Sequence, residues 1–412
     1  PKLLGEYTAG LICLTGCRRG PVMRALARND RQGAIRAARW LMGRFGPAHT
    51  FIELQHHLVR GDTRLVAEGI ELATALGLSY VATGNVHYAT PDQHRLHDVL
   101  RSIRHNRSLD EAALLLAPNA EFYLKGGQEL LPLFAAYPDA LTTSGRIAAR
   151  CEVTLPTGPQ ALPMYSTPPG MSALAYLRHL CEQALQERYP AGQAAARAQL
   201  EKELALIAQR DLANYFLVVW DVVAWAKRQS IRCQGRGSAA NSIVAYLLAI
   251  SPIDPLVHAL VFERFLSPER QEPPDIDLDF ATDRREEVIQ YLYRTYGPQH
   301  VAMASTLVTF RARGALRDAA KALGIPAPLL KTVSHLLDGR GEEALSTSPE
   351  LAERAATGET WQQLQEIARQ LVGIPRHLGL HNGGMILSEA PLATLLPTEP
   401  AAMPHRTVVQ WA

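Results

Sequence analysis

The stretch PPDIDLDF, residues 273–280, decides how the rest of the chain is read. In a strand, successive side chains alternate between faces. Asp275, Asp277 and Asp279 therefore fall on one side, with Ile276, Leu278 and Phe280 on the other. Three carboxylates on one strand face repel one another unless a cation stands among them. Magnesium prefers hard oxygen ligands and is often held by one or two carboxylates completed by substrate phosphates. The apolar alternates anchor the opposite face in a core. Two plainer readings compete: a solvated acidic strand, and a calcium loop, whose glycine and mixed oxygen ligands are missing here.

Immediately upstream lies GRGSAANS, residues 235–242, between a short strand expected over IRCQ and a helix expected over IVAYLLAI. Glycines such as Gly235 and Gly237 allow a backbone to approach a phosphate closely. Arg236 adds a fork of donors and Ser238 a hydroxyl, and amides at the start of a helix favour negative charge. No Gly-Lys-Ser/Thr closes the loop, so it is not a Walker loop. Alone, a glycine-serine turn is more often only a turn. Followed by a D-x-D strand it fits metal-assisted nucleotidyl transfer, in which one element grips a triphosphate and the other holds metal at the reacting phosphorus.

The surrounding chain has room for this machinery. Its 412 residues predict two to four domains, and 47% hydrophobic with 20% charged residues describes a globular protein with real cores. The net charge of +2 does not by itself announce a nucleic-acid binder, although 42 Lys+Arg can be concentrated on one face. The five cysteines are scattered and odd in number, which predicts free thiols in a reducing compartment. No apolar run is long enough to span a bilayer, and PKLLGEYTAG is not a signal peptide, so the expectation is a cytoplasmic protein with no membrane contact. The start on Pro1 without methionine and the strand-like ending VVQWA lead us to expect a piece of something longer.

Up to about residue 140, strand patterns (GLICLTG, FIELQ, SYVATGNVHY) alternate with helical ones, one of them running through PVMRALARNDRQGAIRAARWLMGRFG. That order predicts an α/β domain with parallel sheet. A proline-rich link at 155–170 suggests a boundary crossing within a helical stretch. Helices dominate again over 309–376, before a glycine-rich turn at HNGG and a strand at MILS.

These residues resemble a known family. The segment IRCQGRGSAANSIVAYLLAISPIDPLVHALVFERFLSPERQEPPDIDLDF is similar to the palm of the C-family bacterial DNA polymerase III alpha subunit. CQGRGSAANS, EPPDIDLDF and DRREEVIQYLYRTYG resemble its error-prone, damage-induced branch. YFLVVWDVVAWAK, LVTFRARGALRDAAKALG, RHLGLHNGGMILS and EPAAMPHRTVVQW extend the likeness over nearly the whole chain.

The resemblance implies an α/β multidomain fold: the C-terminal part of a PHP-type α/β domain over 1–140, a nucleotidyltransferase-like palm with mixed sheet over 141–306, a helical thumb insertion over 307–380, and a return to the palm over 381–412. It implies that Asp275 and Asp277 hold two magnesium ions, with Asp279 a less essential acid beside them. Gly235, Arg236, Gly237 and Ser238 would meet the phosphates of an incoming dNTP, whose alpha phosphate the primer 3′ hydroxyl attacks as pyrophosphate leaves. Arg311, Arg313 and Arg317 would be phosphate contacts to primer–template DNA, or else a solvated face, since their spacing does not put all three on one helical side. His381 would face the active site or brace the turn. Sliding clamp and damage-response accessory proteins are the partners implied for the intact enzyme.

Two departures from the family pattern shape the expectations. The third catalytic aspartate and the fingers lie beyond Ala412, so the polypeptide as given is expected to be inactive or nearly so. In the PHP-type module, Cys17 and His87 remain of the metal ligands, but Asn85 stands where active members carry aspartate, a weaker neutral ligand. This predicts a vestigial module. His56 and His57 read simply as a strand exit. A PHP-type metal phosphoesterase and a non-catalytic remnant that binds DNA or a partner are the competing functions.

Overall fold

A computed structural model of the chain describes residues 3–154, 163–190, 193–266, 276–326, 328, 349, 353, 358–401 and 403–410. It is a mixed α/β protein that divides into two compact units, each built from two separate stretches of chain: Pro1–Leu155 with Thr309–Pro375, and Pro156–Val308 with Arg376–Ala412.

The first unit carries a three-stranded parallel sheet in the order β1 (Cys13–Leu14), β2 (Thr50–Leu54), β3 (Ser79–Ala82). Every residue of β2 is buried, as a central parallel strand covered on both faces must be. The covering helices are α1 (Pro21–Ala27), α2 (Arg31–Phe45) and α3 (Asp62–Leu76). Val22, Leu26, Ala38, Ile52, Leu54 and Leu72 meet in one core cluster. The single helix expected over 21–46 is in fact two. Asn29 adopts a left-handed φ of 58°, and the Asp30 carboxylate caps the new start by accepting from the Gly33 amide at 2.7 Å.

After α3 come α4 (His94–His105), a short α5 (Gly127–Leu130) and α6 (Pro138–Ala149), which packs on β3. The same unit includes part of the later helical stretch. Leu96 and Val99 of α4 share a cluster with Leu316 and Ala319 of α12 (Ala312–Ala322) and Leu364 of α13 (Glu359–Leu371). Alanines at 312, 315, 319, 320 and 322 are all buried in α12, and their small side chains let neighbouring helices approach closely.

The second unit is organised around α7 (Ala173–Arg188), α8 (Gln193–Gln209), α9 (Ala213–Arg228) and α10 (Ile243–Leu247). Leu177, Leu204, Phe216, Leu217, Ile243 and Phe265 are fully or almost fully buried between them. Each such side chain contributes about 1.5–3 kcal/mol relative to exposure. Against this core lies an antiparallel pair, β4 (Cys233–Arg236) and β5 (Asp277–Phe280). Following α11 (Arg285–Tyr296), a second sheet has the order β7-β6-β9-β8, formed by β6 (Val301–Thr309), β7 (Pro375–Leu387), β8 (Thr398–Pro400) and β9 (Thr407–Val409). β9 runs parallel to β6 and antiparallel to β8.

Two sequence expectations shift here. HNGG, read as a turn, lies inside the continuous strand β7. The strand expected over IRCQ begins two residues later, at Cys233, so Gly235 and Arg236 are ladder residues. No helix among the described residues is long and apolar enough to cross a membrane.

Candidate functional site

The β4–β5 pair sets Gly235 opposite Leu278 and Arg236 opposite Asp277. Alternation then does what the sequence predicted for the residues it reaches. Ile276 and Leu278 pack against the large helical core, and Asp277 and Asp279 emerge together on the other face. Arg236 spans them: its Nη1 lies 3.2 Å from Asp277 Oδ2, and its Nε donates to Asp279 Oδ1 at 3.2 Å. Asp275 lies outside the described residues. The strand is placed from behind by α9, whose Tyr215 hydroxyl accepts from the Ile276 amide at 3.2 Å. Further along, the Asp221 carboxylate of α9 accepts from the hydroxyls of Tyr291 and Tyr296 of α11, while Trp225 stacks on Tyr291. An open cleft of about 890 Å3 runs beside the pair, bordered by Gln234, Asp279 and Asp283.

The loop after β4 differs from its sequence reading in what its amides do. Ser242 caps α10 by accepting from the Ala245 amide at 3.1 Å. The Ile243 and Val244 amides donate to Glu203 at 3.0 and 3.2 Å, and the Ser242 hydroxyl donates to it at 2.7 Å. Glu203 stands on α8, is fully buried, and also accepts from Gln199. Burial pushes its carboxyl up, and the four donors pull the other way. The start of α10 is thus filled by a carboxylate from the protein itself and is not open to a phosphate. Gly235 serves packing: its amide donates to the Ile250 carbonyl at 2.6 Å, and a Cβ there would lie 3.0 Å from that oxygen. Gly237, by contrast, has a left-handed φ of 71° with open space beside it, and it turns the chain out of the strand.

In the first unit, Cys17, Asn85 and His87 line one cavity of about 560 Å3. His57 joins them: it is 3% exposed, holds the Gly84 carbonyl through Nε2 at 2.8 Å and stacks on Phe122. It is a wall residue and more than a strand exit, a role that only the fold reveals. His87 stacks on His97. Burial, then His87 and Arg101, pushes the His97 imidazole down to about 4. Arg18, Arg19, Arg101 and Arg104 line the cavity and, among the described residues, no Asp or Glu does. Among the described residues no group of three or more His, Cys, Asp and Glu is placed to hold a metal. The residues present do not fit a PHP-type metal cluster.

A model of the bacterial DNA polymerase III alpha NTPase domain matches residues 175–412. The chain belongs to the bacterial DNA polymerase III alpha family. Within that family it is similar to curated error-prone DNA polymerases. It is 41% identical to one from Mycobacterium bovis over 404 residues, 97% of this chain and 36% of the relative. A relative from Nocardia farcinica is 41% identical over 409 residues, 97% of this chain and 35% of that protein. One from Pseudomonas syringae pv. tomato is 41% identical over 386 residues, 93% and 37% respectively. The chain therefore spans a little over a third of the length of these polymerase III alpha relatives.

Of the basic residues singled out from the sequence, Arg311, Arg313 and Arg317 belong to the first unit and His381 to the second. Arg311 is the cap residue of α12, and Arg313 and Arg317 follow on its exposed side, with Arg317 against Asp318 at 3.2 Å. His381 is exposed on β7, and its Nδ1 accepts from the amides of Gly383 and Gly384.

Proposed function

We propose that this chain is the nucleotide-binding core of a templated DNA polymerase of the error-prone type. The observation that carries the reading is Arg236 bridging Asp277 and Asp279 from the neighbouring strand, in a chain of the polymerase III alpha family. Residues 1–140 are read as the later part of a PHP-type domain, 141–306 as palm, 307–380 as a helical thumb insertion and 381–412 as the return to the palm.

Asp277 presents hard carboxylate oxygens to solvent, a donor type that fits magnesium; with Asp275, which lies outside the described residues, it is read as the pair that would hold the metal, and Asp279 as a less essential acid beside them. Bound there, magnesium supplies positive charge that makes the alpha phosphate more electrophilic and the primer hydroxyl more acidic. The protein's own part is positioning. All three side chains of the Arg236 bridge are about half exposed, between 44% and 59%. Such pairs contribute only about 0–1 kcal/mol. Arg236 can therefore leave the carboxylates at small cost and offer its guanidinium fork to phosphate oxygens. Ser238, just past the Gly237 turn, adds a hydroxyl beside it. Glu203 keeps α10, and with it the loop, in place. Primer–template DNA and dNTP are the substrates of this reading, and Arg311, Arg313, Arg317 and His381 its candidate DNA contacts. A sliding clamp and damage-response proteins are its partners in the longer protein.

The test is primer extension with magnesium by a polypeptide carrying this segment at the full length of its relatives. Templated extension should fall on the order of a hundredfold or more in Asp277→Ala. Extension that ignores this substitution would remove the reading. A PHP-type phosphoesterase is disfavoured by the cavity around Cys17 and His87, which among the described residues is lined by arginines and by no carboxylate.

A further inference from the structure

The cavity that holds Cys17 and His87 is lined with arginine where a metal cluster calls for carboxylates. At about 560 Å3 it has the size of a small-molecule site. Of its four guanidinium groups one is already engaged. Arg18 pairs with the buried Asp62 at 3.2 Å and donates to the Arg60 carbonyl. Among the described residues, Arg19, Arg101 and Arg104 make no ion pair. Asp98, an acid whose charge reaches Arg101, is buried and lies beside His94, with Oδ2 3.5 Å from the ring Nε2.

Three like charges around one cavity repel each other, and the effect is visible on their neighbours. After burial, Arg19 is the next influence depressing Arg101, and both arginines depress His87. The fixed positive charge of the site is that of its arginines. Such a concave cationic surface is stabilised by an anion with several oxygens. Guanidinium forks match phosphate in particular, pairing two N–H groups with two oxygens. Beside them His57 and Phe122 stack with ring centroids 4.1 Å apart and planes within 12°, giving the cavity a flat wall.

We propose that this cavity binds a small phosphate polyanion without metal, either inorganic pyrophosphate or triphosphate or the phosphate tail of a nucleotide, through Arg19, Arg101 and Arg104. The inference does not rest on the polymerase reading, because the residues concerned all belong to the first unit.

The experiment is calorimetric titration of the chain in EDTA, carried in an Arg236→Ala background so that the loop after β4 does not contribute. Pyrophosphate should bind one to one, more weakly as salt rises. Arg101→Gln/Arg104→Gln should weaken it at least tenfold, and Arg104→Gln alone, at an exposed position, by a smaller factor if the double variant fails to fold. A second arm uses dATP. Tighter binding than pyrophosphate, lost in Phe122→Ala, assigns a nucleotide, whereas equal affinity assigns free phosphate. The proposal is overturned if no binding occurs in EDTA, if binding appears only when manganese or zinc is added, or if both arginine variants bind as tightly as their parent.

Discussion

Single residues divide into those whose chemistry shows in the sequence and those whose role exists only in three dimensions. Asp277 and Asp279 were legible because strand alternation is a local rule. Glu203 was not. It lies 39–41 residues before the groups it holds, in a helix where nothing distinguishes it from a surface glutamate. Glu203→Ala should cost about 2–4 kcal/mol, since two helix amides and the Ser242 hydroxyl lose a buried partner; urea unfolding measures it. Glu203→Gln keeps the shape but turns an amide donor toward donors, and should cost about 1–3 kcal/mol. The two forms should also differ with pH. The buried Glu203 carboxyl is raised above its ordinary 4.5. Folding therefore takes up a proton above that value, and this contribution is full below pH 4.5 and lost as pH rises through the folded value. Glu203→Gln should remove that slope from a plot of stability against pH; an unchanged slope means another group is responsible. Arg236→Ala should raise the dNTP dissociation constant about tenfold or more, with Arg236→Lys between, as expected where a planar fork is replaced by a point charge.

At the level of elements, periodicity located most helices and strands but not their ends. Period-two alternation and the run of buried residues made β2 and β5 readable, and the helical spacing of apolar residues did the same for α7 and α9. The break between α1 and α2 was missed because the apolar spacing continues across it, while a single left-handed residue and an aspartate cap decide the geometry. HNGG looked like a turn because glycine pairs usually are, yet sheet pairing overrides that preference. The start of β4 moved for a similar reason. Glycine weakens a strand on its own, but Gly235 is required where the strand meets the Ile250 carbonyl. Gly235→Ala should accordingly destabilise the protein by about 1–3 kcal/mol, because the obstructing atom is backbone and cannot rotate away. The same substitution at Gly237 meets no atoms and carries only the strain of its left-handed φ, about 1 kcal/mol. Thermal unfolding of the pair checks the order; a Gly237→Ala that costs more than Gly235→Ala would mean the loop is tighter than it looks.

For the whole molecule, the sequence marks boundaries by composition, whereas the folded chain is divided by shared cores. Reading along the chain sets 309–376 apart as a helical stretch, and the family resemblance makes 307–380 a helical insertion. In the structure its described helices α12 and α13 bury Leu316, Ala319, Leu364 and Ile367 in one cluster with Leu96 and Val99 of α4. No linear pattern could announce that pairing, because amphipathic helices record which face is apolar but not which partner covers it. The consequence is testable by hydrogen exchange. Leu316 is fully buried, so Leu316→Ala should cost about 2–5 kcal/mol through lost burial and the cavity left behind. If α4, α12 and α13 open as one cooperative body, amide exchange should quicken in α4, far earlier in the chain, along with α12 and α13. If exchange quickens only within 309–375, the later helices open as a separate body and the shared cluster contributes little to α4. Leu204→Ala, in the core of the second unit, supplies the comparison: it should quicken α9 and α10, whose Phe216, Leu217 and Ile243 share its cluster.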